Sequence, residues 1–290
     1  MNDTVINPAV SKPKRPYNPT WCKGCGNFSI WGALKLGIKQ IGIPHEKIVM
    51  VYDVGCSGNM ADFNDFYGFH ALHGRALPAA AGIKLGNHDL KVIVVIGDGG
   101  CYGEGGTHFL NLMRGNHDIT VLIHDNHRYS LTTGQMSPTT DKGTKTKSTP
   151  DGSIEFPMNP LALAVSNNCG FVAREFTADI PGLAGRIAEA INYSGFAMID
   201  VLQPCPVYNP AQGYDWYRQR IIPLAAENHD VTNFSAAWTQ EMRADKLPTG
   251  LFYKKDQAPY HAQVETLKKG PLTSLSPDQA KVNQLLSEFA

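Results

Sequence analysis

Six cysteines are spread along the 290 residues, and four of them stand where thiolates could share one centre. Cys22 and Cys25 form C-x-x-C inside Trp21-Cys22-Lys23-Gly24-Cys25-Gly26; Cys56 lies in Val54-Gly55-Cys56-Ser57-Gly58; Cys205 lies in Gln203-Pro204-Cys205-Pro206. A two-residue gap lets both thiolates of the pair reach one metal, but two ligands do not complete a site. Four thiolates would suit Zn²⁺ or an iron–sulfur cluster. The scattered spacing does not match the compact ferredoxin run and leaves that choice open. Taken singly, Cys56 and Cys205 read equally well as small buried hydrophobes, and Cys101 and Cys169 read as structural.

A second constellation lies at Gly97-Asp98-Gly99-Gly100, directly after the apolar run Val92–Ile96. Glycines at such a point let backbone N–H groups approach a phosphate, and the helix start that follows adds a favourable dipole. A carboxylate between the first two glycines does not fit the dinucleotide fingerprint, and the Lys-Ser/Thr of a P-loop is missing. Asp98 would repel a diphosphate unless a cation sat between them, so Mg²⁺ is expected. Mg²⁺ wants a near-octahedral oxygen shell. Asn126, 28 residues beyond Asp98, offers an amide oxygen, and the backbone carbonyl of Arg128 offers a third ligand.

Both constellations need strand ends to hold them. Ile48–Asp53, Val92–Ile96, Ile119–His124, Phe171–Phe176 and Ala197–Leu202 are short β-branched runs of the buried parallel kind. Helical spacing is found over Asn27–Gln40, Ala76–Leu85, Thr107–Arg114, Pro160–Asn167 and Ile180–Tyr193. This alternation predicts an α/β fold, a mostly parallel sheet with helices on both faces and ligands beyond the carboxyl ends of the strands. Met1 to Thr20 reads as an extended arm able to carry the C-x-x-C to that edge. Ser137 to Pro160 reads as a long loop, a lid or partner contact. After Cys205 the strand–helix rhythm fades. The expected division is a domain over 1–210 with its N-terminal cluster-binding arm, and an extension over 211–290 that wraps the domain or a partner.

The 26 basic and 26 acidic residues cancel, which argues against a nucleic-acid or polybasic membrane binder. Charged residues are 18% of the chain against roughly 25% in an average domain, as expected if another chain covers part of the surface. No apolar window approaches membrane-spanning length and the first residues are polar, so a soluble, cytoplasmic protein is expected. In a reducing compartment the cysteines serve ligation or redox chemistry rather than disulfides.

Gly97-Asp98-Gly99 followed by Asp125-Asn126 resembles the thiamine diphosphate motif, GDG and then NN, with Asp125 in place of the first Asn. Tyr129-Ser130-Leu131-Thr132-Thr133-Gly134-Gln135 and Ser137-Pro138-Thr139-Thr140 resemble NNxxYxLTxGQxSPTT of 2-oxoacid:ferredoxin oxidoreductase β subunits. Phe69-His70-Ala71-Leu72-His73-Gly74-Arg75 is similar to that family's GFHTLHGR, and its W-C-x-G-C-G, G-C-S and Q-P-C-P segments follow in order.

The resemblance implies a thiamine diphosphate-binding fold carrying Mg²⁺ at Asp98, Asn126 and Arg128, and one [4Fe–4S] cluster on Cys22, Cys25, Cys56 and Cys205. It places Gly55, Cys56, Ser57, His73, Gly97 and Gly99 against the coenzyme, with Leu131 and Thr132 closing over the diphosphate. His73, Arg75 and Asn59 become candidates for catalysis; outside the resemblance, a lone histidine is usually a packing residue and Asn59 a turn residue. The implied activity is coenzyme A-dependent oxidative decarboxylation of a 2-oxoacid, with electrons passed to ferredoxin. From the Phe63–Arg75 and Leu131–Gln135 segments 2-oxoglutarate is favoured over pyruvate.

A single αβ unit implies an α subunit that supplies the pyrimidine-side domain and its glutamate, in a heterodimer or heterotetramer. Lys142, Lys145 and Lys147 are either solvated or steer coenzyme A or an acidic ferredoxin; His124 and His127 are read as supporting or exposed. The rival reading is a zinc-stabilised, non-catalytic binding module whose GDG is only a turn. A self-contained non-redox thiamine decarboxylase would leave four cysteines without a role.

Overall fold

The structure, a computed structural model, describes residues 18–243 and 246–289, so the expected arm over Met1 to Thr20 lies outside the described residues except for its last three. The β-branched runs form strands β1 (Ile48–Tyr52), β3 (Lys91–Gly97), β4 (Thr120–Asp125), β7 (Phe171–Phe176) and β8 (Ala197–Leu202). The helices are α1 (Asn27–Ile41), α2 (Ala76–Gly86), α3 (Gly106–Arg114), α4 (Pro160–Ser166) and α5 (Ile180–Asn192). Local chemistry sets several ends. Asn159 and Asp179 cap α4 and α5 by accepting from the backbone N–H of Ala162 and Gly182, each ahead of an early proline, and Gly42 closes α1 in the left-handed region.

An eight-stranded sheet runs β2-β1-β3-β4-β8-β7-β10-β9, where β2 is Tyr67–His70, β9 is Ile221–Pro223 and β10 is Leu247–Lys254. The six strands from β2 to β7 pair in parallel; β10 pairs antiparallel with β7. Successive residues of β3 point to opposite layers. Val92, Val94 and Ile96 pack with Leu77 of α2, Phe109 of α3 and Leu161 of α4. Ile93 and Val95 pack with Ile30 and Leu34 of α1 and Leu183 and Ile187 of α5. Apolar side chains on both faces are what an internal parallel strand requires.

The chain reverses its direction of travel across the sheet at β1/β3, and β8 inserts between β4 and β7, which comes before it in sequence. Crevices open beyond the carboxyl ends of strands at such points. β2, β9 and β10 are not expected from the sequence. After Cys205 the rhythm does not simply fade: β9 and β10 extend the sheet, and α6 (Tyr214–Arg218) and α7 (Phe234–Glu241) pack beside them. The short helices α8 (Tyr260–Gln263) and α9 (Gln279–Ser287) follow. Among the described residues no helix is long and apolar enough to cross a membrane.

Candidate active site

One cleft gathers the loops after β1, β3 and β4. Gly55, Cys56 and Ser57 reach it from β1, Gly97, Asp98 and Gly99 from β3, and Asn126, Arg128, Leu131 and Thr132 from β4; His73 comes from the turn after β2. The stretch between Asp98 and α3 winds into a π-helical turn over Gly99–Glu104, a form that recurs at functional sites.

Asp98 is almost fully buried, and its Oδ2 accepts from Ser137 Oγ at 2.5 Å and Thr139 Oγ1 at 2.7 Å. Burial, and then the carboxylate of Asp125, push its carboxyl up to about 7. Asp125, the residue that departs from the NN pattern, is also buried. Burial and Asp200 push it up to about 8, and its Oδ1 lies 2.7 Å from the same Thr139 hydroxyl oxygen, whose one proton serves one carboxyl at a time. The start of the long loop is therefore pinned onto the βα turns. Asn126 Oδ1 accepts from the Arg128 backbone N–H at 3.0 Å and from Ser130 Oγ at 3.2 Å. A carboxylate, an amide oxygen and a backbone carbonyl beside flexible glycines make a hard-oxygen donor set of the type Mg²⁺ takes, with Ser130 giving up its bond when the amide oxygen is used.

The cysteines meet at the side of this cleft. The Cys25 backbone N–H donates to the Cys22 carbonyl at 3.0 Å, Trp21 Nε1 donates to the Cys56 carbonyl at 2.7 Å, and the Gly26 N–H reaches the Pro204 carbonyl at 3.3 Å. The segment 21–26, the β1 loop and the β8 loop are thus tied together. Gln203 Nε2 donates to Cys25 Sγ at 3.4 Å, and Ser130 Oγ lies 3.4 Å from Cys205 Sγ. Burial raises the Cys25 thiol, with Cys205 and Cys22 adding to it. Burial pushes Cys56 up to about 12, with Cys25, Cys205 and Cys22 adding again. The Cys56 thiol thus feels the other three cysteines, and Cys25 feels two of them. Among the described residues no three His, Cys, Asp or Glu side chains are grouped to hold a metal ion. Cys101 and Cys169 are fully buried in the core.

Two of the candidate residues stand off the cleft wall. Asn59 lies in the 3₁₀ turn Gly58–Phe63, and Arg75 donates from Nη1 to the carbonyls of Glu104 at 3.0 Å and Gly74 at 3.3 Å, holding the loop. The Arg128 guanidinium is turned away into the loops after β8, bonding Tyr208 O and Asn209 Oδ1. His124 is buried and His127 half-buried. His124 also lines the cleft, where burial lowers it to about 3 and its Nδ1 lies 2.6 Å from Asn27 Oδ1. Sequence reasoning missed Val54, Gly100, Tyr129 and Ser130 in the wall and Asp53 behind it. Val54, Gly100, Tyr129 and Ser130 stand inside the quoted motifs with no site role assigned there, and Asp53 ends an expected strand.

Comparison with known proteins gives the same answer by another route. The family described as "Thiamine pyrophosphate enzyme, C-terminal TPP binding domain" matches residues 53–201, and the family of the C-terminal part of the pyruvate ferredoxin oxidoreductase beta subunit matches residues 205–269. A 2-oxoacid:ferredoxin oxidoreductase subunit beta from Sulfolobus sp is 41% identical over 256 residues, covering 84% of each chain. The 2-oxoglutarate synthase subunit KorB of Archaeoglobus fulgidus is 35% identical over 252 residues, covering 86% of this chain and 89% of its own. Among solved structures, a 2-oxoglutarate:ferredoxin oxidoreductase from Magnetococcus marinus, with 2-oxoglutarate, coenzyme A and succinyl-CoA bound, superposes with a TM-score of 0.87 at 33% identity over 93% of each chain. With its parallel sheet and its βα-turn cleft, this chain belongs to the β subunits of the 2-oxoacid:ferredoxin oxidoreductases.

Proposed function

We propose that this β subunit carries thiamine diphosphate, Mg²⁺ and a [4Fe–4S] cluster, and that with an α subunit it converts 2-oxoglutarate and coenzyme A to succinyl-CoA and CO₂, passing electrons to ferredoxin. The observation that carries this reading is the convergence of buried Asp98 and Asn126 with the segments of Cys22, Cys25, Cys56 and Cys205, tied together by hydrogen bonds, on the carboxyl edge of one sheet. Thiamine diphosphate, when bound, supplies a carbon nucleophile and an electron sink for loss of CO₂. Asp98, Asn126 and the Arg128 carbonyl would hold the cation, while the backbone at Gly97 and Gly99 would lie against the phosphates. Leu131, half exposed, and Thr132 stand over the mouth.

Cys22, Cys25, Cys56 and Cys205 would hold the cluster, which would supply one-electron transfer. Thiols that feel one another, in a chain whose relatives are named for ferredoxin, favour this over the zinc-stabilised module. Such thiols need a reducing compartment, so the cytoplasm is the proposed location. The choice of 2-oxoglutarate over pyruvate is supported by the relatives' names.

The α subunit is proposed to supply the pyrimidine-side domain and its glutamate. Exposed apolar side chains ring the cleft: Val54 and Leu131 on its wall, and Leu72, 78% exposed, beside His73. Tyr67 and Phe69 continue the apolar surface along edge strand β2. An apolar rim around a polar cleft marks a surface that another chain covers.

Anaerobically purified chain should be brown and contain close to four irons per chain. It should bind Mg²⁺ and thiamine diphosphate together, and form succinyl-CoA from 2-oxoglutarate only when the α subunit is added. Colourless, zinc-containing protein would overturn the cluster, and turnover by the β chain alone would overturn the need for a partner.

A further inference from the structure

His73 lines the cleft with one ring edge turned inward. Its Nδ1 is buried without a hydrogen bond, and so is Oδ2 of the fully buried Asp53; the two atoms lie 3.5 Å apart. Both are buried atoms left without a partner and of opposite hydrogen-bonding character, and a small closing movement makes an N–H···O⁻ bond. The other Asp53 oxygen is already fixed, accepting from the Gly74 backbone N–H at 2.8 Å. That bond ties the carboxylate to the turn that carries His73.

Glycine at position 100 makes room for the carboxylate, because a Cβ there would fall 2.0 Å from Asp53 Oδ2. On the other side, Glu104 Oε2 lies 3.4 Å from His73 Nδ1, but that oxygen also accepts from Tyr129 OH at 3.2 Å and the side chain is largely exposed. The Tyr129 ring meets the imidazole edge-on at 5.9 Å, fixing its tilt. A buried, singly committed carboxylate holds an imidazole more firmly than a solvated, shared one.

We infer that Asp53 is a positioning residue: its carboxylate keeps the proton on His73 Nδ1, so that Nε2 faces the cleft as a bare acceptor. Nε2 then accepts a hydrogen bond from a hydroxyl or amino group in the cleft. When it takes the proton outright, that proton moves from the ligand's O or N to Nε2, and Asp53 stays ionised and stabilises the imidazolium. Burial pushes the Asp53 carboxyl up to about 6, with Glu104 adding to this and His73 and two backbone N–H groups opposing it, so the anchor is mostly charged at neutral pH. Cys101 and Tyr129 also feel this charge. The inference rests on the proposed coenzyme cleft for its catalytic consequence, but the tautomer does not.

The test is ¹⁵N-histidine NMR of the coenzyme-free chain, with the His73 signals identified by their loss in His73→Gln. The expected form is Nδ1–H in the unsubstituted protein and Nε2–H in Asp53→Asn, whose amide NH₂ donates to Nδ1. In the assembled holoenzyme Asp53→Asn should lower kcat by about a hundredfold or more with KM for the 2-oxoacid within about threefold, as loss of a tautomer-fixing carboxylate does; Glu104→Gln should cost far less. An Nε2–H tautomer in the unsubstituted protein overturns the inference even if Asp53→Asn fails to fold, and so does an unchanged kcat in Asp53→Asn. A chain with the expected tautomer that binds no thiamine diphosphate would instead overturn the coenzyme reading alone.

Discussion

Asp98 shows the tension between binding and stability at the scale of one residue. Its carboxyl is buried beside a second buried carboxyl, Asp125, and both are raised. A cation relieves that repulsion, and until it binds the pair is a cost. Asp98→Asn keeps the shape and can still accept from Ser137, but it removes one of the two opposed charges. We expect this variant to unfold at the same temperature as the unsubstituted chain or a higher one, while losing at least about a hundredfold in Mg²⁺-dependent thiamine diphosphate affinity. Thermal melts and titration calorimetry read the two effects separately; a lower melting temperature with intact affinity would contradict both. The residues proposed to act on diphosphate and metal stood out in the sequence because the spacing of such residues is dictated by a ligand of fixed size. Asp53, Tyr129 and Ser130 were not, since they act on other side chains, and only the packing of turns far apart in the chain brings those partners together.

At the scale of elements, the strands buried on both faces were legible because burial demands an unbroken apolar run. β2 is fully exposed and carries Gly68 at its centre, and β10 carries Pro248 and Gly250 and a register shift between Leu251 and Tyr253. Neither shows a clean period, and both lie at or near a sheet edge, where such residues are tolerated. The segment carrying β10 also positions α7, whose Glu241 meets Arg174 of β7 at 3.2 Å, while Arg174 bonds Asp200 of β8 at 3.1 Å. Burial, offset in part by Arg174, pushes the Glu241 carboxyl up to about 7. A carboxyl raised on folding holds its proton to higher pH in the folded chain than in the unfolded one. Its stabilising contribution is full below about 4.5 and is lost as pH rises through about 7. Glu241→Gln removes that titration, so the fall in melting temperature between pH 5 and pH 8 should be shallower in the variant; parallel profiles would count against it.

For the whole molecule, a partner was legible in a low share of charged residues and in the lack of a second αβ unit, whereas the surface proposed to meet it was hidden in residues that look like core. Leu72 sits on the apolar rim at 78% exposure, so Leu72→Glu should leave the melting temperature of the isolated chain unchanged and weaken association with the α subunit by about tenfold or more, because the new carboxylate would be stranded in the interface. Sedimentation of mixed subunits measures this; undiminished association would remove the rim from the contact. The strand order carries a further consequence, for biosynthesis. β8 lies between β4 and β7 yet leaves the ribosome after both, so two long apolar backbone edges stay unsealed until about residue 202 has emerged. Cys205 emerges just behind that closing strand. Nascent chains stalled short of it should bind chaperones tightly and accept no iron, so that assembly of the proposed cluster would wait on completion of the sheet.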